Sequence, residues 1–100
     1  MNALRTSFVK KGFVFEQILR EDNLAIYSQK LDEKLVAYEV IKIKRTPPYE
    51  RGGVQFPEME LYPSDEQFGL NGWCFANFGD IDRCYQKALQ KFEQLKTNIS

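Results

Sequence analysis

The stretch Leu35-Val36-Ala37-Tyr38-Glu39-Val40-Ile41-Lys42-Ile43-Lys44 decides the fold. It is dense in β-branched and aromatic residues. Val36, Tyr38 and Val40 fall on one side of an extended chain, and Leu35, Ala37, Ile41 and Ile43 on the other. It therefore reads as a strand with two apolar faces. Two similar runs precede it, Phe13 to Arg20 and Leu24 to Leu31. The breaks between the runs, Glu21-Asp22-Asn23 and Asp32-Glu33-Lys34, carry turn chemistry. Three strands with three-residue connections predict an antiparallel meander.

Downstream, Arg45 to Gly53 reads as a loop. Pro47 and Pro48 remove backbone donors, and Gly52-Gly53 permits positive φ. Val54 to Tyr62 predicts a fourth strand that Pro57 confines to an edge or interrupts. Pro63-Ser64-Asp65-Glu66 predicts one helical turn with Ser64 as its cap, ended by Gly69 and Gly72. Trp73 to Phe78 predicts a short last strand. The clearest helix follows. Asp80 is its N-cap, and Ile81, Cys84, Tyr85, Ala88, Leu89, Phe92 and Leu95 make one apolar stripe. Asp82 in the first turn and Lys96 near the last suit the helix dipole. The predicted fold is α+β and two-layered. An antiparallel β-meander of four to five strands packs against one C-terminal α-helix, Asp80 to Lys96, in a single domain spanning residues 1–100.

Composition narrows function mainly by exclusion. The chain has 100 residues, with 14 Lys plus Arg, 14 Asp plus Glu and no His. Zero net charge argues against a strongly basic nucleic-acid binder and against an acidic mimic. Without His there is no His-dependent triad, His-metal site or imidazole switch. Residues 1–53 hold ten basic and seven acidic residues, and residues 54–100 hold four and seven, so any basic surface belongs to the N-terminal elements. Cys74 and Cys84 match no zinc spacing and are expected to be buried, reduced thiols. Met1 to Lys11 contains no apolar signal segment, and no apolar run reaches the roughly 20 residues of a membrane span. The cytoplasm is the expected compartment, with no membrane partner.

Few groups suggest chemistry. Glu58 and Glu60, Asp65 and Glu66, and Asp80 and Asp82 are carboxylate pairs, but such pairs on a strand are commonly the solvated side of an edge. Gly52-Gly53 lacks the Lys-Ser/Thr ending and helix of a phosphate loop. The expectation is a protein that is not an enzyme and holds no cofactor or metal. Surface chemistry is more suggestive. Arg45 and Arg51 flank a loop carrying Tyr49, and Phe68 and Trp73 sit in a second loop that contains Gly69 and Gly72. These five residues form the candidate partner-binding set, because Tyr, Trp and Arg dominate interface energetics. Phe68 and Tyr49 are expected to be accessible, whereas Trp73 either plugs the sheet end or anchors a partner. The alternative is a single-stranded DNA or RNA binder. It would stack bases on Tyr27 and Tyr38 across an open sheet face, with Lys42 and Lys44 supplying charge.

Pro63-Ser64-Asp65-Glu66-Gln67-Phe68-Gly69-Leu70-Asn71-Gly72-Trp73 resembles a tail found in small accessory proteins of tailed bacteriophages, P-S-x-E-x-aromatic-G, two residues, then G-W. The likeness continues through Phe75, Phe78, Ala88 and Phe92 and covers about the last 40 residues. It implies a phage-encoded protein acting in the host cytoplasm as a regulator or inhibitor of a host protein complex, including defence systems. As a monomer or homodimer, such a protein would bind its target without catalysis.

Overall fold

The computed structural model describes residues 4–63 and 68–99. Its elements, in chain order, are β1 (Ser7–Lys10), β2 (Phe13–Glu21), β3 (Leu24–Leu31), β4 (Lys34–Lys42), β5 (Lys44–Thr46), β6 (Tyr49–Arg51), β7 (Val54–Phe56), β8 (Met59–Leu61), β9 (Gly72–Ala76) and α1 (Ile81–Ile99). Five strands form one antiparallel sheet in the order β1-β2-β3-β4-β9. The predicted meander and C-terminal helix are both present. Ser64 and the proposed helical turn through Glu66 lie outside the described residues.

The tight turns explain the register. Lys11 and Gly12 turn β1 into β2 with φ of 55° and 83°, and Asp32 and Glu33 turn β3 into β4 with φ of 50° and 67°. Paired left-handed residues match the twist of a two-residue hairpin, so the β3–β4 connection is shorter than the three residues expected. β1 was not among the expected strands. Its four residues are too few to show alternation, and it forms because the Lys11-Gly12 turn lays Phe8 against Phe15 and Val9 against Val14.

Asp80 caps α1 as expected, with the Arg83 amide donating to its Oδ1 at 3.0 Å. Ala88 and Phe92 are fully buried against Leu24, Ile26 and Val40 of the sheet, with Leu95 closing the far end. Ile81, expected on the buried stripe, is instead half-exposed, so the working stripe starts at Cys84. Cys84 is buried and donates to the Phe75 carbonyl at 3.0 Å, but Cys74 is exposed on edge strand β9, contrary to expectation.

The sheet face away from the helix is also covered. Leu4, Phe15, Ala25, Tyr27, Ile41 and Ile43 form a second buried cluster, with Phe8, Phe13, Tyr62 and Phe68 packed on it. This corrects the expectation of an open platform. β3 is consequently sealed on both sides from Leu24 through Ser28. The aliphatic run that reads as one strand to Lys44 breaks after Lys42, and the chain leaves the main sheet as β5.

β5 pairs with β8, and β6 pairs with β7. Partner numbers sum to 105 in both ladders, Lys44 with Leu61 as much as Arg51 with Val54. The two ladders are therefore one hairpin in continuous register from Lys44 to Leu61. In that register Pro48 faces Pro57 and Pro47 faces Glu58. Prolines donate no ladder hydrogen bond, so pairing lapses there and resumes beyond. The result is an arm with a base, a proline waist and a tip. The molecule measures 51 × 36 × 21 Å, with a radius of gyration of 14.9 Å. A compact chain of this length would have about 13 Å.

Candidate functional site

The arm is anchored at its base by a buried ion pair. The Glu60 side chain is only 4% exposed. Arg20 grips it with both terminal nitrogens, Nη1 to Oε1 at 2.7 Å and Nη2 to Oε2 at 2.6 Å. The Leu4 amide donates to Oε1 at 3.1 Å, and Arg45 Nη2 stands 3.4 Å from Oε2. Arg20 is itself oriented, because its Nε donates to the Asp22 carbonyl at 3.2 Å. The Arg20 hydrogen bonds, followed by the Leu4 amide, hold the Glu60 carboxyl at about 2, well below its ordinary 4.5. One side chain thus ties three parts of the chain together: strand β2, the N-terminal segment and the arm.

The tip is built differently. Gly52 and Gly53 have φ of 59° and 79°, the left-handed pair that closes a tight hairpin. Tyr49 stacks on its partner Phe56 with centroids 4.9 Å apart and planes 14° from parallel. Alternation places Tyr49, Arg51, Val54 and Phe56 on one face of the ribbon and Glu50 and Gln55 on the other. Tyr49, Val54 and Phe56 remain 45%, 54% and 36% exposed. Beside them, an open recess of about 520 Å³ runs between the Pro48/Pro57 waist and the aromatic pair. The tip is therefore an aromatic and aliphatic surface with one guanidinium, held away from the main core on a ribbon whose waist prolines fix φ.

The expected site residues do not form one surface. Arg45, Tyr49 and Arg51 all lie on the arm, with Arg45 at the base and the other two at the tip. Phe68 is not available in the way expected. It packs on the cluster under the arm, and its ring stands 3.0 Å from where a Cβ on Gly72 would sit. Trp73 is half-buried in the cluster on the opposite, helix-covered face. Lys91 and Lys42 lie over its ring at 4.4 Å and 5.7 Å. Phe68 and Trp73 thus belong to different sides of the sheet.

The nucleic-acid platform is not formed. Tyr27 is fully buried; its hydroxyl donates to the Arg5 carbonyl at 2.5 Å and accepts from Gln17 Nε2 at 3.0 Å. Tyr38 points to the other face and packs against Tyr85 at 5.3 Å. Lys42 lies on the helix side, and Lys44 is on the arm, so the two share no strand face. Among the carboxylate pairs, Glu60 is the buried latch rather than a solvated edge group.

Val54, Phe56 and Arg20 escaped the sequence reading, and Glu60 was expected only as half of a solvated carboxylate pair. A signal for the first two was present: Tyr-x-Arg and Val-x-Phe alternate on either side of Gly-Gly, the pattern of a tight hairpin. Nothing local pairs Arg20 with Glu60, which are 40 residues apart. Among the described residues, no group of three or more His, Cys, Asp or Glu is placed to hold a metal ion, and no helix is long and apolar enough to cross a membrane. Comparison with family models, curated proteins and solved structures finds no match to this chain.

Proposed function

We propose that this is a non-catalytic binding protein that presents the tip of its arm, Tyr49, Arg51, Val54 and Phe56, to a partner protein. One observation carries the reading: an exposed aromatic pair and an arginine stand at the end of a projecting ribbon, where they add nothing to the main core. Apolar rings give burial, and a guanidinium gives charge-assisted hydrogen bonds to an acidic rim. The resemblance of the last 40 residues to phage accessory proteins supports a more specific reading, a phage-encoded regulator or inhibitor of a host complex.

The experiment is affinity capture from host lysate, with and without nuclease, using the wild type and the double variant Tyr49→Ala/Arg51→Ala. The expected result is a stoichiometric protein that survives nuclease, is retained by the wild type and is lost from the variant. Truncating an interface hot spot costs about 2 kcal/mol or more, roughly 30-fold in affinity. Equal capture by both forms would remove the arm from the interface. Recovery of nucleic acid alone, abolished by nuclease, would replace the proposal with a nucleic-acid binder.

A further inference from the structure

Among the described residues, no strand lies beyond β1 at its end of the main sheet. The phase of its ladder fixes which backbone groups are open. Lys11 and Gly12 make a two-residue turn, so Lys10 and Phe13 close it as a hydrogen-bonded pair, and bonded and non-bonded pairs alternate from there. Phe8 therefore bonds to β2. Thr6 keeps the same phase, its carbonyl accepting from the Gln17 amide at 2.7 Å. Ser7 and Val9 fall between, and their amides and carbonyls point away from the sheet. Neither a proline nor a bulge interrupts this edge.

The edge opens onto a groove of about 620 Å³. Phe8 and Val9 both line it although their side chains point to opposite faces of the sheet, so the groove runs along the edge of the strand. Its far wall is β8 but not β5, hence the side of β8 that β5 leaves unpaired. Leu4, Met59, Leu61 and Tyr62 give it an apolar floor. Its surroundings are positive. Glu60 is the one carboxylate lining it, and Arg20 and Arg45 set two guanidiniums against that single acid. Arg5 is exposed just before β1 and lines the groove as well. Lys10 also lines it but has a partner of its own, so the unbalanced charge is that of Arg5 and of the second guanidinium at Glu60.

An open edge beside an apolar groove is the geometry of strand addition, in which main-chain bonds give affinity and alternate side chains enter pockets. A second copy of this chain is a poor occupant. Pairing Ser7 with Val9 of a second copy would set Arg5 of each against Lys11 of the other, and like charges placed opposite destabilise a ladder. We propose that β1 takes up an extended, acidic segment of another protein as a sixth strand of the main sheet, with apolar side chains in the groove at alternate positions and a carboxylate facing Arg5. This site is separate from the tip of the arm and does not depend on it.

The test is an NMR titration of the full chain with the end-blocked peptide Glu-Val-Thr-Val-Thr-Val-Glu, set beside the same peptide with Lys at both ends. Saturable shifts and slowed amide exchange are expected at Ser7 and Val9, with Tyr49 and Phe56 unmoved. Val9→Pro removes a donor that the β2 ladder does not use, so the fold is kept while affinity falls about tenfold or more. Arg5→Glu is expected to weaken the Glu-ended peptide several-fold and to strengthen the Lys-ended one. Misfolding would not produce that reversal, so the proposal stays testable if Val9→Pro fails to fold. Absence of saturation, equal affinity of the wild type for both peptides, or undiminished affinity in folded Val9→Pro would overturn the proposal. Binding lost in Tyr49→Ala but kept in Val9→Pro would overturn it by moving the peptide to the tip. Protection of Ser7 and Val9 that grows with protein concentration, without peptide, would overturn it by assigning the edge to a second copy.

Discussion

The base and the tip of the arm are ladders of three residue pairs each in one register, yet they do opposite things. At the base, Glu60 is buried and gripped by two arginines and a backbone amide. At the tip, the side chains from Tyr49 to Phe56 are all exposed. The prolines at the waist separate the two. The difference shows that ribbon pairing alone does not decide whether a hairpin is structure or surface. What decides it is whether a charged anchor and an apolar floor lie beneath. The base has Arg20 and the cluster of Leu4, Phe15 and Tyr27. The tip has only its own stacked rings.

The comparison presumes a rigid body beneath the arm, and that is where the largest effect lies. Phe92 is fully buried between α1 and the sheet. Phe92→Ala is expected to cost about 3–5 kcal/mol through lost burial and a residual cavity. Chemical denaturation would check it. A cost below about 1 kcal/mol would mean that the helix is not what closes this face.

The base comes next. Glu60→Gln leaves Arg20 buried in part without its counter-charge, and breaking a buried pair in this way costs about 3 kcal/mol. Because Arg20 is a quarter exposed, the loss should fall toward the lower end of such values. Amide exchange should rise along β8 while the α1 core stays protected; uniform loss across the molecule would show that base and body are one cooperative unit. The same latch predicts an acid response. Glu60 has a lowered folded value of about 2 against an ordinary 4.5, so its stabilisation is present above about 4.5 and is lost as pH falls toward 2. Release of β8 over that window in the wild type, absent in Glu60→Gln, is the expected pattern in an NMR titration.

Much of the body was legible in the sequence for physical reasons. Strands β2, β3 and β4 carry dense β-branched and aromatic residues, and α1 has a cap and a stripe of period 3.6, all local signals. The arm was half-legible. Pro57 was expected to confine a strand to an edge or to interrupt it, and it interrupts it, between β7 and β8. Yet Arg45 to Gly53 was read apart from Val54 to Tyr62, so the continuous register across the waist stayed hidden. Phe68 and Tyr27 were misplaced for one common reason. Both lie under the second layer, and that layer is assembled by residues far apart in the chain, Leu4, Ile43 and Tyr62 among them. Glu39 is the instructive omission, since its phase in β4 alone places a carboxylate on a buried face.

The smallest effect on stability is expected at the tip, and it is the sharpest probe of the comparison. Tyr49→Ala removes one ring of the stacked pair, and such a pair contributes about 0.5–1.5 kcal/mol when well packed. Here both rings are substantially exposed, and the local loss should be about 0.5 kcal/mol or less, with the body unmoved. Phe56→Ala should behave alike, and the double variant should cost no more than either single change, because each removes the same contact. Thermal melts of all three forms, set beside their affinity for the captured partner, separate the two roles. If melting temperature falls in step with binding, the rings hold the fold and the tip is structure after all. If binding collapses while melting stays put, the tip is a surface maintained for another molecule.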